Sequence, residues 1–277
     1  MRTIKLTAFA LFVIFSYGCS SRKKEIKHYD FEDLAQLSDW SIEGNGRAYI
    51  SCGKLILEPE FYPEMKTLMD EGSISPKNDQ SEYSSYLINA MKEKYKNELD
   101  WFYYHEKGKE PVFRGGHFNF WNRKFPTQGD FSIEFEFRSL SKAPLQMVMF
   151  CASGSNGEDI FDPAMPERYG LAHEIMYGPM AQYRISYFHP FRKTANMRRA
   201  PGREMVAQGR DLVSENPNDT YVCRVERKGS LVRYLVDGKE VLSFNDEDPI
   251  PGGYWGFRLM VCAKGEYDNI RISRLDD

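Results

Sequence analysis

The sequence predicts an all-β fold, a sandwich of two antiparallel sheets with one helical insertion. The segment FSIEFEFR, beginning at Phe131, alternates apolar and polar side chains, as a strand with one buried face does. An Asp237-Gly238 pair is typical of a tight hairpin turn. Many such segments with short joins favour a sandwich over a parallel α/β sheet. Strands are predicted over residues 54–57, 131–137, 145–150, 183–188, 221–227, 231–236, 241–244, 254–261 and 267–272.

One segment breaks the strand pattern. Residues 77–107 contain no Gly or Pro, and large apolar side chains recur there at steps of three and four residues. This periodicity predicts an amphipathic helix within a helical insertion over about residues 60–113. The aromatic run 101–105 either forms a wall of a cleft or docks the helix on the core.

The N-terminus carries a secretion signal. Arg2 and Lys5 precede an apolar run at 8–15 that is too short to span a bilayer. The ending Ser16-Tyr17-Gly18-Cys19 resembles a bacterial lipoprotein signal, in which the cysteine becomes the lipidated N-terminus. The resemblance implies lipidation of Cys19 and anchoring to a membrane; an ordinary cleaved signal peptide is the alternative. The predicted organisation is a signal peptide at 1–18, a tether at 19–28 and one domain at 29–277.

The tether is basic and lacks an acidic run, which favours a protein that faces the periplasm, with surface exposure as the alternative. The formal net charge is −3, and no stretch of Lys and Arg is dense enough for a nucleic-acid track. We therefore expect no nucleic-acid partner.

The cysteines show no metal-type spacing. Cys151, Cys223 and Cys262 lie within apolar strand patterns, which predicts buried free thiols, with a disulfide as the alternative. No cofactor is expected. The single candidate ion is a structural calcium, held by Asp30 or Glu32 together with Asp268, if the first and last strands are neighbours.

Several motifs resemble known families. The C-terminal succession YLVDGKEVLSF, GGYWGFRLM and GEYDNIRISRL resembles the closing strands of concanavalin A-like jelly-roll domains. The motifs GEDIFDP, SYFHP, TANMRRAPG (taken as a turn), VAQGRDLV and HFNFWNRKFP resemble the YesU-like family of bacterial proteins, over most of residues 29–275. The insertion departs from that family. The resemblance implies a concanavalin A-like jelly roll and a role in the use of plant polysaccharides such as pectin, without defining a reaction.

The candidate site lies between Cys151 and Gly209, where charged and aromatic residues are interleaved. Cleavage of a uronic acid polymer by β-elimination needs a group that neutralises the carboxylate, a base and an acid. Arginine suits the carboxylate because its planar fork binds both oxygens. His189 and Tyr183 are candidates for proton transfer, and His173-Glu174 forms a second pair. The predicted substrate-binding residues are Arg192, Asn196, Arg198 and Arg199.

Hydrolysis would instead need two carboxylates. Glu158 and Asp159 lie on a Gly-rich loop that would sit at a cleft mouth, although either could pair structurally with Arg198 or Arg199. Asp162-Pro163 predicts a turn. Glu134 and Glu136 have the spacing of a catalytic pair on one strand, but outward-facing surface charges explain them equally well.

Plain carbohydrate binding needs aromatic faces and a few fixed polar groups. Trp121, Tyr177, Tyr183 and Tyr187 could supply the faces and His117 a polar group, with core packing as the alternative for each. The leading hypothesis is a carbohydrate-active protein that cleaves an acidic plant-type glycan, as a hydrolase or lyase, in the concave-face cleft. The alternatives are a non-catalytic glycan-binding lipoprotein and a structural envelope protein. Replacing Arg198 or His189 is expected to abolish activity without loss of stability.

Overall fold

Two antiparallel sheets face each other in the computed structural model, which describes residues 23–70, 89–98, 102–103, 112–113, 117–142 and 145–275. The signal sequence and Cys19 lie outside the described residues. The strands are β1 (Lys23–Tyr29), β2 (Trp40–Gly44), β3 (Gly46–Ser51), β4 (Lys54–Pro59), β5 (Phe102–Tyr103), β6 (Val112–Phe113), β7 (Phe118–Gln128), β8 (Phe131–Ser139), β9 (Gln146–Gly154), β10 (Met180–Tyr187), β11 (Thr194–Ala200), β12 (Glu204–Arg210), β13 (Tyr221–Lys228), β14 (Leu231–Val236), β15 (Lys239–Asn245), β16 (Gly252–Leu259) and β17 (Gly265–Leu275).

The eight-stranded sheet has the order β15-β14-β13-β8-β17-β4-β3, with β1 also paired to β17. The seven-stranded sheet has the order β12-β11-β10-β9-β16-β7-β2, and β5 pairs with β6 separately. The predicted sandwich of antiparallel sheets is confirmed. The core lies between the sheets because inward side chains alternate with outward ones: Phe131, Ile133, Phe135 and Phe137 of β8 are all buried in it. The Asp237-Gly238 turn is also confirmed, with φ of 49° and 74°.

The beginning of the domain differs from the prediction. Residues 23–28 were assigned to the tether, but they form most of β1, which pairs with the last strand from Lys23↔Leu275 to Tyr29↔Ile270. Tyr29 is fully buried and donates a hydrogen bond to Asp39. Polar side chains face solvent along β1 while its backbone completes a sheet, so charge composition did not reveal the strand.

The insertion is helical only in part. Helix α1 spans Tyr62–Asp70, and residues 89–94 are helical. Met91 is 3 % exposed, and the rings of Phe61 and Tyr95 lie 5.0 Å apart, so these two helical pieces pack together. The predicted helix does not continue to residue 107, because a turn follows at 95–97 and Phe102–Tyr103 form a strand. Residues 71–88 lie outside the described part.

The remaining helical elements are a six-residue α-helix, α2 (Ala172–Tyr177), and 3-10 turns at Leu34–Asp39 and Leu212–Ser214. Among the described residues, no helix has the length and apolar character that a membrane crossing requires. The TANMRRA segment, predicted as part of a turn, is strand β11, and the turn comes after it. Both Asn196 and Arg198 therefore occupy fixed positions on a sheet.

The cysteine prediction is confirmed for the described residues. Cys151, Cys223 and Cys262 are buried free thiols, and Cys52 is free and exposed. Burial raises the pKa of the Cys151 thiol to about 11, which makes it unreactive near neutral pH.

The calcium prediction is not supported in the described part of the chain, where no group of three or more His, Cys, Asp or Glu could hold a metal ion. Asp268 accepts from Lys54 at 2.9 Å, and Asp30 accepts from Gln36 at 2.6 Å. These carboxylates are therefore used in local structure.

Candidate functional site

Each strand of the seven-stranded sheet has one face in the core and one face outside it. In β10, Tyr183, Ile185 and Tyr187 point into the core, so Arg184 and Ser186 point outward. The register places Arg184 between Arg198 of β11 and Met149 of β9. We call this side of the sheet the outer face.

The β2 half of the outer face is covered. The loop 155–171 and α2 pack on it and form a second apolar cluster: Trp121, Met149, Ala152, Ile160, Ile175 and Met180. The loop passes very close to the sheet at Gly170, whose φ is 75° and where a Cβ atom would lie 3.0 Å from the carbonyl oxygens of Glu43 and His117. Only glycine combines this backbone conformation with this approach.

Glu43 of β2 joins the covering loop to the sheet. Its carboxylate accepts hydrogen bonds from Asn119 at 2.7 Å and from the indole of Trp121 at 3.1 Å. Arg168 of the loop pairs with it at 2.8 Å, and both side chains are only 9 % exposed. All these groups are nearly dry, so the ion pair stabilises the loop only because every partner is in place.

A cavity of about 470 Å³ lies between the loop and α2. The carboxylate of Glu174 accepts from the backbone N–H groups of Tyr169 and Leu171, both at 2.9 Å, and so holds the start of α2. The opposite wall includes Tyr177, which is 62 % exposed. The cavity is lined by Met165, Pro166, Glu167, Arg168, Tyr169, His173, Glu174, Tyr177, Gly178, Pro179 and Met180. Aromatic and apolar walls with a few polar groups are typical of a small-molecule site.

Beyond α2, toward β12, the outer face is basic. We call Arg184, Arg192 and Arg198 the arginine row. Arg198 donates to the backbone carbonyl of Arg203, and Arg192 donates to Ser186 at 3.3 Å and to the carbonyl of Thr194. Within the described part of the chain, none of the three is ion-paired with a carboxylate.

Burial and mutual repulsion act on these arginines. Desolvation, followed by the charges of Arg198 and Arg203, lowers the pKa of Arg184 to about 10. Desolvation and Arg203 also lower the pKa of Arg198. A guanidinium stays charged at neutral pH even so. Arg184 and Arg198 therefore hold unbalanced positive charge in partly dry surroundings, whereas the carboxylate of Asp211 favours the charged form of Arg192.

Arg258 of β16 is the contrasting case. It is fully enclosed, and its Nη2 atom donates to the carbonyl of Gly170 at 3.0 Å. Burial and Arg184 lower its pKa to about 10, while the nearby carboxylates of Glu43 and Glu174 favour its charged form. Arg258 thus supports the loop from below.

Two predicted aromatic site residues lie in the core. Tyr183 donates to Asp246 at 2.5 Å and accepts from the N–H of Ile250 at 3.1 Å, and Tyr187 meets the hydroxyl of Tyr267 at 3.4 Å. Both are fully buried between the sheets. The prediction that they act at the site is therefore wrong, because strand alternation turns them away from Arg184.

Other predicted residues are structural for similar reasons. Arg199 faces the opposite way from Arg198 and pairs with Asp246 at 2.9 Å. Trp121 is fully buried beneath the loop, so its ring is not open to a sugar, and His117 is 6 % exposed at the same edge. Asn196 does lie on the outer face, where it accepts from Gln208 at 3.0 Å, although it is nearly enclosed.

The carboxylates of the acidic loop, Glu158 and Asp159, accept hydrogen bonds from side chains other than the arginines. Glu158 accepts from the backbone and side chain of Asn156, which lower the pKa of its carboxyl, and it is exposed. Asp159 accepts from Tyr254 at 3.0 Å. Neither pairs with Arg198 or Arg199, so that structural alternative is wrong. The turn at Asp162-Pro163 is confirmed, with Met165 N donating to the Asp162 carbonyl.

Two further acids considered for hydrolysis lie on the other sheet. Glu134 and Glu136 belong to β8, where they face away from the core; Glu134 lies 3.6 Å from Arg224, and Glu136 accepts from Asn269. The interpretation as surface charges holds for this pair.

His189 is enclosed at the far end of β10. It is 3 % exposed, its Nδ1 atom accepts from the backbone N–H of Arg192, and its own backbone N–H donates to Asp211. Desolvation, with Arg192 adding to it, lowers the pKa of His189 to about 4. Its ring is thus a neutral packing and hydrogen-bonding group, so we now expect its removal to reduce stability.

The structure brings together residues that sequence analysis did not single out: Arg168, Arg184 and Arg258, with Tyr177 beside them. The alternation of QYRIS in β10 could have separated Arg184 from Tyr183, since they lie on opposite faces. No local signal indicates Arg168, because its partner Glu43 is 125 residues away.

These features define a class: a jelly-roll-like β-sandwich with a partly covered, basic outer face on one sheet. The chain belongs to the family described as "Domain of unknown function (DUF1961)", which matches residues 102–272. It is 29% identical over 170 residues, 56% of this chain and 76% of the relative, to the "Uncharacterized protein YesU" of Bacillus subtilis (strain 168). The predicted family is therefore confirmed.

Solved structures share the fold. A protein of unknown function with a galectin-like fold from Bacillus subtilis matches with a TM-score of 0.66 and 21% identity, covering 92% of this chain and 100% of that one. The endo-beta-1,3-glucanase from Pyrococcus furiosus matches with a TM-score of 0.54 and 12% identity, covering 92% of this chain and 95% of the glucanase. At these identities the likeness shows the fold and leaves function to the site.

Proposed function

We propose that this protein is a carbohydrate-active protein that binds an acidic glycan on the outer face, along the arginine row and beside the α2 cavity. The observation that carries the proposal is the unbalanced positive charge of Arg184 and Arg198, for which the described residues supply no carboxylate. A sugar carboxylate would supply the missing charge through charge-assisted hydrogen bonds. The fold shared with a glucanase is consistent with a carbohydrate ligand.

The surroundings of the arginine row suit the ring of a sugar as well as its carboxylate. Tyr177 is an exposed aromatic ring that borders the cavity and is an electrostatic neighbour of Arg184. Aromatic faces bind the apolar side of sugar rings while fixed polar groups select the hydroxyls. A polymer such as pectin, with one carboxylate on each unesterified unit, would place charge along the arginine row.

Recognition is favoured over hydrolysis. Two carboxylates at this face, Glu43 and Glu174, each hold a structural position and accept several hydrogen bonds. A hydrolase needs one carboxyl group to donate a proton and a second to attack or activate water. Cleavage by β-elimination is the second candidate, because Tyr177 beside Arg184 is an aromatic hydroxyl next to a group that could neutralise a carboxylate.

One experiment separates these possibilities. The purified protein is titrated calorimetrically with trigalacturonate and with a neutral glucan trisaccharide, and the same mixtures are followed for absorbance from unsaturated ends and for new reducing ends. We expect the acidic ligand alone to bind, with affinity that falls as salt is added. Absence of binding to any acidic oligosaccharide in low salt would overturn the proposal. New unsaturated ends would establish elimination, and new reducing ends without them hydrolysis.

We also propose that the chain is a lipoprotein anchored through Cys19 and facing the periplasm. The support is the lipoprotein-like signal at residues 1–19. Expression in a bacterial host with a labelled fatty acid tests it: the label should follow the protein to the membrane fraction, and Cys19→Ser should lose both. Equal membrane association of the variant would refute lipid anchoring at this cysteine.

A further inference from the structure

The guanidinium of Arg184 has an unusual combination of burial and missing partners. The side chain is 5 % exposed, yet its Nη1 and Nη2 atoms are both buried without a hydrogen-bond partner in the described structure. Leaving charged donors dry and unpaired is costly, because water has been removed and nothing replaces it. A buried group left unpaired in this way requires an explanation, such as a bound group that completes its hydrogen bonds.

We infer that Arg184 is the receptor for the carboxylate of a uronic acid unit, which its two Nη atoms bind side by side. This inference rests on the proposed function and specifies its ligand: a free carboxylate rather than its ester. The two unpartnered nitrogens form a planar fork that matches the two oxygens of a carboxylate, and that geometry gives specificity as well as energy.

The neighbours of Arg184 fit this assignment. Across the strands its neighbours are Arg198 and Met149, and Arg203 adds positive charge from the turn after β11. Two residues back along β10, the Oε1 atom of Gln182 is also buried without a partner in the described structure, while its Nε2 atom donates to the carbonyl of Ile175. An unpaired donor fork beside an unpaired acceptor is complementary to a carboxylate and a hydroxyl of the same sugar.

Access to the fork requires a small rearrangement. The end of α2 and the turn after β11 lie together over this part of the sheet, joined by a hydrogen bond from Gly202 N to the carbonyl of Met176. The side chains that they carry nearest Arg184, Tyr177 and Arg203, are exposed and can change rotamer. Side-chain rotamer changes of this size are common when a ligand binds.

The test compares Arg184→Met with Arg184→Lys and with the control Arg210→Gln in the full-length protein; Arg210 is an exposed arginine of β12 that pairs with Glu215 outside the proposed site. Calorimetry measures binding of trigalacturonate, of its fully methyl-esterified form, and of galactose 6-sulfate. We expect Arg184→Met to weaken trigalacturonate binding by roughly tenfold to a hundredfold. Arg184→Lys, which keeps the charge but not the fork, should lose an intermediate amount, and Arg210→Gln, which removes one positive charge elsewhere, should lose little. The ester should bind weakly and equally to all variants.

Thermal unfolding distinguishes a receptor from a structural arginine. Removing an unpaired buried charge should leave the melting temperature of Arg184→Met unchanged or raise it. Trigalacturonate should raise the melting temperature of the parent protein and of the control variant but not that of Arg184→Met. Unaltered trigalacturonate binding by Arg184→Met would overturn the inference and leave the proposed function standing. So would a marked loss of stability in Arg184→Met and Arg184→Lys, or tighter binding of the sulfate than of the carboxylate. If the parent bound no acidic oligosaccharide, both proposals would fail.

Discussion

Replacing Tyr183 by phenylalanine should destabilise the protein while leaving ligand binding intact. The Tyr183 hydroxyl donates to the carboxylate of Asp246 at 2.5 Å and accepts from the N–H of Ile250 at 3.1 Å. Asp246 is 6 % exposed and also accepts from Arg199 at 2.9 Å. Phenylalanine preserves the ring and its stacking on Phe150, whose centroid is 5.4 Å away, so the change removes only the hydroxyl.

The expected loss follows from these two contacts. A hydrogen bond to a charged group contributes about 1.5–3 kcal/mol, and a buried N–H left without a partner costs about 1–3 kcal/mol. Because Asp246 keeps Arg199 and the backbone can relax, we expect about 3 kcal/mol in total. For a domain of this size that lowers the melting temperature by roughly 6–12 °C.

Tyr187→Phe is the matched control, since Tyr187 is equally buried but its hydroxyl lies 3.4 Å from that of Tyr267. Tyr267 keeps its bond to Gln146, so we expect a loss under about 1 kcal/mol. Urea unfolding measures both variants, and calorimetry measures their affinity for trigalacturonate. Equal stability of the two variants would contradict the role given to Asp246. Lost affinity with parental stability in Tyr183→Phe would instead place Tyr183 at the site.

Further predictions concern four other positions. The pKa of His189 is about 4 in the folded protein and about 6.5 in the unfolded chain. Between these pH values the unfolded state binds more protons than the folded state. The free energy of unfolding should therefore fall by up to about 3 kcal/mol as the pH drops from 6.5 to 4. His189→Asn should flatten this part of a stability–pH curve measured by urea unfolding. Burial raises the pKa of Asp211, which acts in the opposite direction but is common to both proteins; curves of equal slope would contradict the neutral state of His189. Glu43→Gln should leave the buried charge of Arg168 uncompensated and destabilise the protein by about 3 kcal/mol; a loss below about 0.5 kcal/mol in urea unfolding would show that the pair does not hold the loop. Arg199→Gln should reduce stability by about 2 kcal/mol because it leaves the carboxylate of Asp246 without its cation. Arg198→Gln should change stability by less than about 0.5 kcal/mol and weaken trigalacturonate binding. The reverse pattern would show that Arg198 faces the core and Arg199 faces outward.

The sandwich was predictable because its strands carry their own signals. The alternation of β8 and the Asp237-Gly238 turn are local, and both appear where the sequence places them. Strand β1 was missed because its contribution is backbone pairing with β17, which leaves no apolar alternation. The helix after residue 77 was extended too far because aromatic residues that fit a helical period also pair well in strands.

The site was predictable only as a region. The stretch from Cys151 to Gly209 does contain α2, the cavity and the arginine row, but several of its residues were assigned to a face without regard to strand alternation. Tyr183 of β10 lies opposite Arg199 of β11, and both side chains point inward. Arg184 and Arg198 also lie opposite each other, and both point outward. The alternation of side chains along a strand would alone have assigned these two pairs to opposite faces of the sheet. The covering loop is different, because Gly170 and Arg168 meet β2 and β7 through contacts distant in sequence.

The covering loop also explains why unbalanced positive charge lies on only one half of the outer face. On the covered half, the cations Arg168 and Arg258 are matched by the anions Glu43 and Glu174, and the local charge is close to balanced. Toward β12 the electrostatic neighbours of Arg184 are Arg198 and Arg203, so charge of one sign accumulates. The boundary between the balanced half and the positively charged half of the outer face lies at α2, where Tyr177 borders both the cavity and Arg184. Under the proposed function, charge would draw an acidic sugar at this boundary toward the arginines, and its ring would lie against the aromatic side. A neutral sugar of the same shape would have only the second interaction.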